Sequence, residues 1–227
     1  MAVAVPDALA PPQTGGVDCL YVDDDLLVLA KPSGLLCVPG RGPDKQDCLS
    51  HRAQQQWPGA LVVHRLDQAT SGLVLMARHL DAQRRMSHAF AERQVHKRYQ
   101  AIVAGHMAAP THGDWAEINL PIAADWERRP LRVIDPVLGK PSLTRWRALA
   151  HDESANTTRI ELEPVTGRTH QLRVHLAAVG HAILGDALYA DAVIHAQHPR
   201  LLLHAAWLAF EHPATGQRIE ISLPAPF

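Results

Sequence analysis

The chain is short of cysteine, has no long apolar run, carries no net positive charge and holds no nucleotide-binding signature, and each shortage excludes something. Cys19, Cys37 and Cys48 are odd in number and lack metal-ligand spacing, which rules out a disulfide framework and a structural zinc site. They read as the reduced thiols of a cytoplasmic protein. No apolar stretch approaches the roughly 20 residues that cross a bilayer. No charged-then-apolar segment opens the chain as a signal peptide would, so no membrane association is expected. There is no P-loop, no GxGxxG and no clustered set of metal ligands, so no cofactor and no metal are expected. The 15 histidines are scattered. His170 and His175 stand five residues apart, a spacing that does not stack two side chains on one helix face.

The net charge of −1 is low for a protein that handles a polyanion. The average conceals an asymmetry. Residues 1–30 hold five aspartates and no Lys or Arg, whereas residues 78–98 hold six basic and two acidic side chains, and residues 126–147 repeat that count. Either basic segment alone reads as a solvated face. Lying close to the motifs described next, the two together favour a groove for a phosphate backbone.

At 227 residues the chain can bury a substantial core, and one large domain over residues 17–227 is expected behind an Ala- and Pro-rich, poorly ordered tail over 1–16. Cys19–Val22 and Leu26–Ala30 predict two strands joined by an Asp23-Asp24-Asp25 turn. Leu49, Ala53 and Trp57 recur every four residues and predict a helix over 44–57. A basic helix is expected over 80–93 and a half-buried strand over 97–104. Thr158–Leu162 and Arg218–Leu223 alternate as strands do, and Leu172, Leu176 and Val179 have helical spacing that Gly180 is placed to end. Strands and helices without a βαβ rhythm predict an α+β fold.

The most informative stretch is His64-Arg65-Leu66-Asp67-Gln68-Ala69-Thr70-Ser71-Gly72. Two apolar runs, Leu61–Val63 and Leu73–Ala77, flank it, both too short for helices, so the pattern is strand, loop, strand. A single carboxylate, Asp67, sits on a loop of small and hydroxyl residues, two positions after an arginine. Taken by itself the loop is more often a turn in which Asp bonds its own backbone; presentation of a catalytic carboxylate is the second reading.

Its company reverses that order. The stretch resembles the active-site motif of the RluA-type pseudouridine synthases, in which the aspartate is essential. Lys31-Pro32-Ser33-Gly34-Leu35-Leu36 precedes it, Lys97-Arg98-Tyr99 follows, and Gly167-Arg168-Thr169-His170-Gln171-Leu172-Arg173-Val174-His175 and Leu201-Leu202-Leu203-His204-Ala205 come after, in that family's order over roughly residues 17–225. The resemblance implies a mixed, largely antiparallel sheet flanked by helices and loops, with the active site in a central cleft. It implies an isomerase that detaches uracil from its sugar, rotates it and rejoins it through carbon, a reaction that needs no cofactor or metal.

By the same resemblance Asp67 is the catalytic carboxylate, and Arg173 the guanidinium that keeps it ionised and oriented against the desolvation that would raise its pKa. The alternative for Arg173 is an exposed helix arginine. Tyr99 packs on the flipped base and serves as a general base, or is ordinary strand packing. Arg65 fills the gap left by an extruded uridine, or is a strand-end charge. Leu203 walls the pocket or packs the core with equal weight. His64 and His170 orient the loop and the helix.

Three further segments, Val38-Pro39-Gly40-Arg41, Asp125-Trp126-Glu127-Arg128-Arg129-Pro130 and Pro199-Arg200, resemble a dual-specificity branch acting on tRNA and 23S rRNA stem-loops, at anticodon-loop position 32 and rRNA position 746. Trp126, Arg128 and Arg129 then sit on a loop over 124–133 that grips such a hairpin. With only about sixteen residues before the first strand, no separate N-terminal RNA-binding module is expected, and a cytoplasmic monomer is the default. The alternatives are a synthase of this family acting on another uridine, a metal-dependent hydrolase built from His64, Asp67, His170 and His175, and a non-catalytic RNA-binding protein.

Overall fold

A computed structural model describes residues 16–108 and 115–227, so the expected N-terminal tail lies almost wholly outside the described residues. Two compact units divide the chain: residues 16–97 with His204–Pro226, and residues 98–108 and 115–203 with Phe227. The first unit opens with β1 (Asp18–Val22), β2 (Leu26–Lys31), α1 (Leu49–Gln56), β3 (Leu61–Val62), β4 (Ser71–Ala77) and α2 (Leu80–Ala91). Then follow β5 (His96–Ala104), β6 (Ala116–Asn119), β7 (Ile122–Ala124), β8 (Arg132–Ile134), β9 (Leu143–Asp152), β10 (Thr157–Pro164), α3 (Gln171–Ala178) and α4 (Ala192–Ala196). β11 (Leu203–Glu211) and β12 (Arg218–Ser222) return to the first unit.

In the first unit β4 is the central strand. It pairs antiparallel with β2 and β3 and parallel with β11, which pairs in turn with β12. All seven of its residues are buried, which is why Leu73–Ala77 reads as a continuous apolar run rather than an alternation. Gly72 lies opposite Ala205 in β11 with φ 116°, and a Cβ there would come within 2.3 Å of the Ala205 carbonyl oxygen. The two backbones approach too closely for any larger residue. Leu26, Val28, Leu73, Leu75, Leu208 and Phe210 pack on Ala82 and Met86, one turn apart on α2. Each fully buried side chain of that size contributes about 1.5–3 kcal/mol.

The turn between β1 and β2 closes on Asp23, whose carboxylate accepts the N–H groups of Asp25 and Leu26 at 2.8 and 2.7 Å. The helix expected over 44–57 is shorter and begins at Leu49. Residues 43–45 form a 3₁₀ turn, and Cys48 is drawn into an extended bridge with Leu36, so the backbone cannot become helical before it.

In the second unit β5, β10, β9 and β6 pair antiparallel in that order, and α3 packs on β8, β9 and β10. α3 ends as predicted, before Gly180 at φ 86°. It is buried all round over 171–176, however, so Gln171, Arg173 and His175 lie in the interior alongside Leu172, Val174 and Leu176. The segment expected to be a loop over 124–133 proves to be the end of a hairpin, with β7 and β8 paired from Ile122↔Ile134 to Ala124↔Arg132. Mostly antiparallel pairing with few helices is the α+β class read from the sequence.

Candidate active site

The loop between β3 and β4 is held by three other segments of its unit. The buried ammonium of Lys31 donates to the carbonyls of Pro32 at 2.8 Å, Leu35 at 2.7 Å and Gln68 at 2.9 Å. Gly34 N–H also donates to Gln68 O, the Gln68 amide returns a bond to Gly34 O, and the Ser33 hydroxyl donates to Ala69 O at 2.7 Å. The Lys-Pro-Ser-Gly motif is therefore a clamp on the backbone immediately after Asp67. Beneath it, Leu66 N–H points at Cys37 Sγ, 3.2 Å away, and burial pushes that thiol's pKa up. Thr70 N–H closes the turn on the Asp67 carbonyl at 3.1 Å.

Asp67 is half-buried between the buried Leu66 and the exposed Gln68, and Arg65 is exposed. His64 is a brace: its Nε2 accepts Leu75 N–H at 3.0 Å and its ring stacks on Phe90 at 4.5 Å. Burial, together with the Lys97 ammonium, pulls the His64 pKa down to about 3, so the ring is neutral at physiological pH. At the far side of the loop the Ser71 hydroxyl meets His204 Nδ1 at 2.9 Å, and His204 Nε2 donates to Leu223 O at 3.1 Å. The sequence showed His204 in a motif, but its bonds lie 19 and 133 positions away, beyond any local pattern.

In the second unit Arg173 is buried, not an exposed helix arginine. Its Nε and Nη2 donate to Asp186 Oδ2 and Oδ1 at 2.8 and 2.6 Å, with side-chain exposures of 4% and 1%. Its guanidinium also lies 5.1 Å from the centroid of the Tyr189 ring. Sequence reasoning missed Asp186 and Tyr189; Gly185-Asp186 was an available signal, a glycine beside a lone acid in a hydrophobic stretch. Gln171 is structural: its amide holds Leu143 O and Thr144 Oγ1 while its oxygen accepts from Thr166 and Arg168. Both ring nitrogens of His175 are engaged, with Thr144 Oγ1 and Leu120 O, each at 2.9 Å. The hydrolase alternative thereby loses His175 as a ligand.

Among the described residues Asp23, Asp25 and His212 form a group with the spacing of metal ligands. His212 Nδ1 accepts two backbone N–H groups there, so Nε2 carries the proton and donates to Asp23 at 2.9 Å. That arrangement is a hydrogen-bonded tie between β1, β2 and the end of β11 rather than a ligand set.

Tyr99 is buried on β5, in register with Leu162 of β10, and Leu203 is 3% exposed at the start of β11. Trp126 stands at the tip between β7 and β8, 71% exposed, with the Arg129 guanidinium 4.2 Å from its ring centroid. Arg128 is tied to Asp125 at 2.7 Å. The linear charge count overstates the second basic segment, because Arg145 and Arg147 of β9 pair across the sheet with Glu163 and Glu161 of β10. Those two arginines and Arg98 surround Trp115, with centroid distances of 4.9–5.8 Å.

Comparison with known proteins gives this geometry its setting. A family model described as RNA pseudouridylate synthase matches residues 25–178. The dual-specificity RNA pseudouridine synthase RluA of Pasteurella multocida (strain Pm70) is 45% identical over 217 residues, covering 96% of this chain and 97% of the relative. Its counterpart in Escherichia coli (strain K12) is 44% identical over the same span. The solved structure of human RNA pseudouridylate synthase domain containing 1 superposes with a TM-score of 0.78 at 30% identity, covering 96% of this chain and 87% of that one. With the family model over most of the chain, and relatives this similar over nearly all of it, the chain belongs to the RNA pseudouridylate synthase family, isomerases that convert uridine in RNA to pseudouridine.

Proposed function

We propose that this enzyme has dual specificity, converting one uridine in a tRNA anticodon loop (position 32) and one in a 23S rRNA hairpin (position 746). The observation that carries the proposal is near-full-length identity of 42–45% to relatives that bear the dual-specificity name. In this reading Asp67 is the carboxylate at the reacting sugar and base, held in place by the Lys31 clamp. Tyr99 stacks on the flipped base, Arg173 keeps the carboxylate ionised, and Arg65 fills the vacated stack. Trp126, Arg128 and Arg129 grip the hairpin, where an exposed indole and two guanidiniums supply stacking and phosphate contacts. His64 and Leu203 shape the loop and the pocket wall. Residues 17–227 act as a catalytic domain, a cytoplasmic monomer on stem-loop substrates.

The test is tritium release from RNA labelled at uridine C5, with an anticodon stem-loop and an rRNA hairpin supplied separately and no metal added. Release from both substrates is expected; release from one narrows the specificity, and release from neither refutes the proposal. Asp67→Asn, which keeps volume and removes charge, is expected to release nothing while binding RNA as the parent does. Turnover by that variant would overturn the role of Asp67.

A further inference from the structure

We infer that Asp186, with Tyr189, is a positioning residue that sets the direction of the Arg173 guanidinium for the isomerisation. The inference rests on the role given to Arg173 above and deepens it. Asp186 takes two of the five N–H donors of Arg173 in a fork-to-fork geometry, which fixes the plane of the guanidinium and the direction of the other three. The carboxylate is itself immobilised, since Oδ1 also accepts Leu188 N–H at 2.9 Å and Tyr189 N–H at 3.2 Å. Its backbone is held as well: Asp186 N–H donates to Ile183 O and Ala190 N–H donates to Asp186 O, both at 3.2 Å. At the preceding Gly185, φ is 73° and a Cβ would fall 2.0 Å from Arg200 O, so the turn carrying Asp186 is pressed against a neighbouring backbone.

Tyr189 supports the guanidinium from its face, and its own ring is anchored. Its hydroxyl oxygen accepts Arg132 N–H at 3.0 Å, and the hydroxyl is hydrogen-bonded to His170 Nδ1 at 2.6 Å. His170 is the residue before α3 and sits in the left-handed region at φ 58°. The pair, the ring and the helix start thus form one continuous support. A buried ion pair is a poor device for stability alone, because desolvating both charges offsets most of their attraction. Its distinct property is a single orientation for a planar cation that would otherwise sample many rotamers.

The experiment measures single-turnover tritium release and RNA Kd, using pooled tRNA and rRNA transcripts labelled at uridine C5 so that the result does not hang on which uridine is chosen. Asp186→Asn keeps shape and an acceptor oxygen but loses charge. It is expected to lower the rate about 100-fold, as a small misplacement of a reacting constellation does, with Kd within about threefold of the parent. Tyr189→Phe keeps the ring and loses the hydroxyl; about a tenfold lower rate is expected, and this variant decides the matter if Asp186→Asn does not fold. In the Arg173→Met background Asp186→Asn should slow the reaction no further, because its whole effect passes through the guanidinium. Parental rates in both Asp186→Asn and Tyr189→Phe, or an undiminished further loss in the Arg173→Met background, would overturn the inference. Parental turnover by Arg173→Met alone would instead mark failure of the role given to Arg173, and the positioning role would fall with it.

Discussion

Replacing Lys31 with methionine tests whether the Asp67 loop is held from below by a buried charge. Lys31 is 2% exposed, and its ammonium donates to the carbonyls of Pro32, Leu35 and Gln68 at 2.7–2.9 Å. Gln68 O keeps a second donor, Gly34 N–H at 2.9 Å, so of these three carbonyls the substitution strips the lysine donor with most effect from Pro32 and Leu35. A buried carbonyl left without a donor costs about 1–3 kcal/mol, and with Leu35 buried and Pro32 half-buried the two together cost about 2–5 kcal/mol. Methionine matches the volume of the lysine stem and needs no desolvation of an ammonium, which offsets part of that cost. The net is about 2–4 kcal/mol, and for a protein of this length the melting temperature should fall by about 5–15 °C. The freed loop should also misplace Asp67, lowering turnover by about 100-fold at a temperature where the variant is folded. Thermal melts, tritium release and amide exchange at Gly34 and Thr70 read the three consequences. A melting temperature within about 2 °C of the parent, with turnover within about threefold, would refute the reasoning.

Arg173→Met leaves the Asp186 carboxylate buried without its guanidinium, so stability should fall by about 3–5 kcal/mol in a denaturant titration, in addition to the loss of activity; an unchanged midpoint would mean that the pair is not buried in solution. The pKa of His64, about 3 when folded against an ordinary 6.5, makes the unfolded chain bind a proton that the folded chain refuses between those values. Its contribution to stability is therefore complete above pH 6.5 and declines as the pH falls toward 3. His64→Gln, which can still accept Leu75 N–H, should flatten the stability profile over that window by up to one proton, and an identical profile would refute the assignment. Trp126→Ala should leave the melting temperature unchanged and weaken RNA binding by about 5- to 150-fold, the value of one stacked base. Arg129→Ala should lower the salt dependence of RNA binding by about 0.7 in slope, and a Kd insensitive to both changes would remove the hairpin tip from the RNA surface.

The elements legible in the sequence were those whose cause is local. β1, β2 and the Asp23 turn, α2 and the end of α3 at Gly180 all stand where periodicity and turn chemistry placed them. The helix over 44–57 was overextended because periodicity cannot register the bridge between Cys48 and Leu36. The hairpin of β7 and β8 was missed because each strand has only three residues, too few for an alternation. The basic excess over 126–147 was overstated for a similar reason, since the glutamates that face Arg145 and Arg147 lie on the next strand and outside any sequence window.

The family, its chemistry and Asp67 as candidate carboxylate could be read from ordered motifs, because reactive groups must be of particular residue types in a particular local setting. Why those motifs take the form they do was decided only in three dimensions. Lys31 is a clamp because Gln68, 37 positions away, turns a carbonyl toward it, and Arg173 is a buried, oriented cation because Asp186 and Tyr189 close on it from another turn. Residue type and short-range spacing are written along the chain. The pairing of a buried charge with its distant partner is set by packing, since only the folded backbone brings donor and acceptor within 3 Å and excludes the water that would otherwise satisfy both.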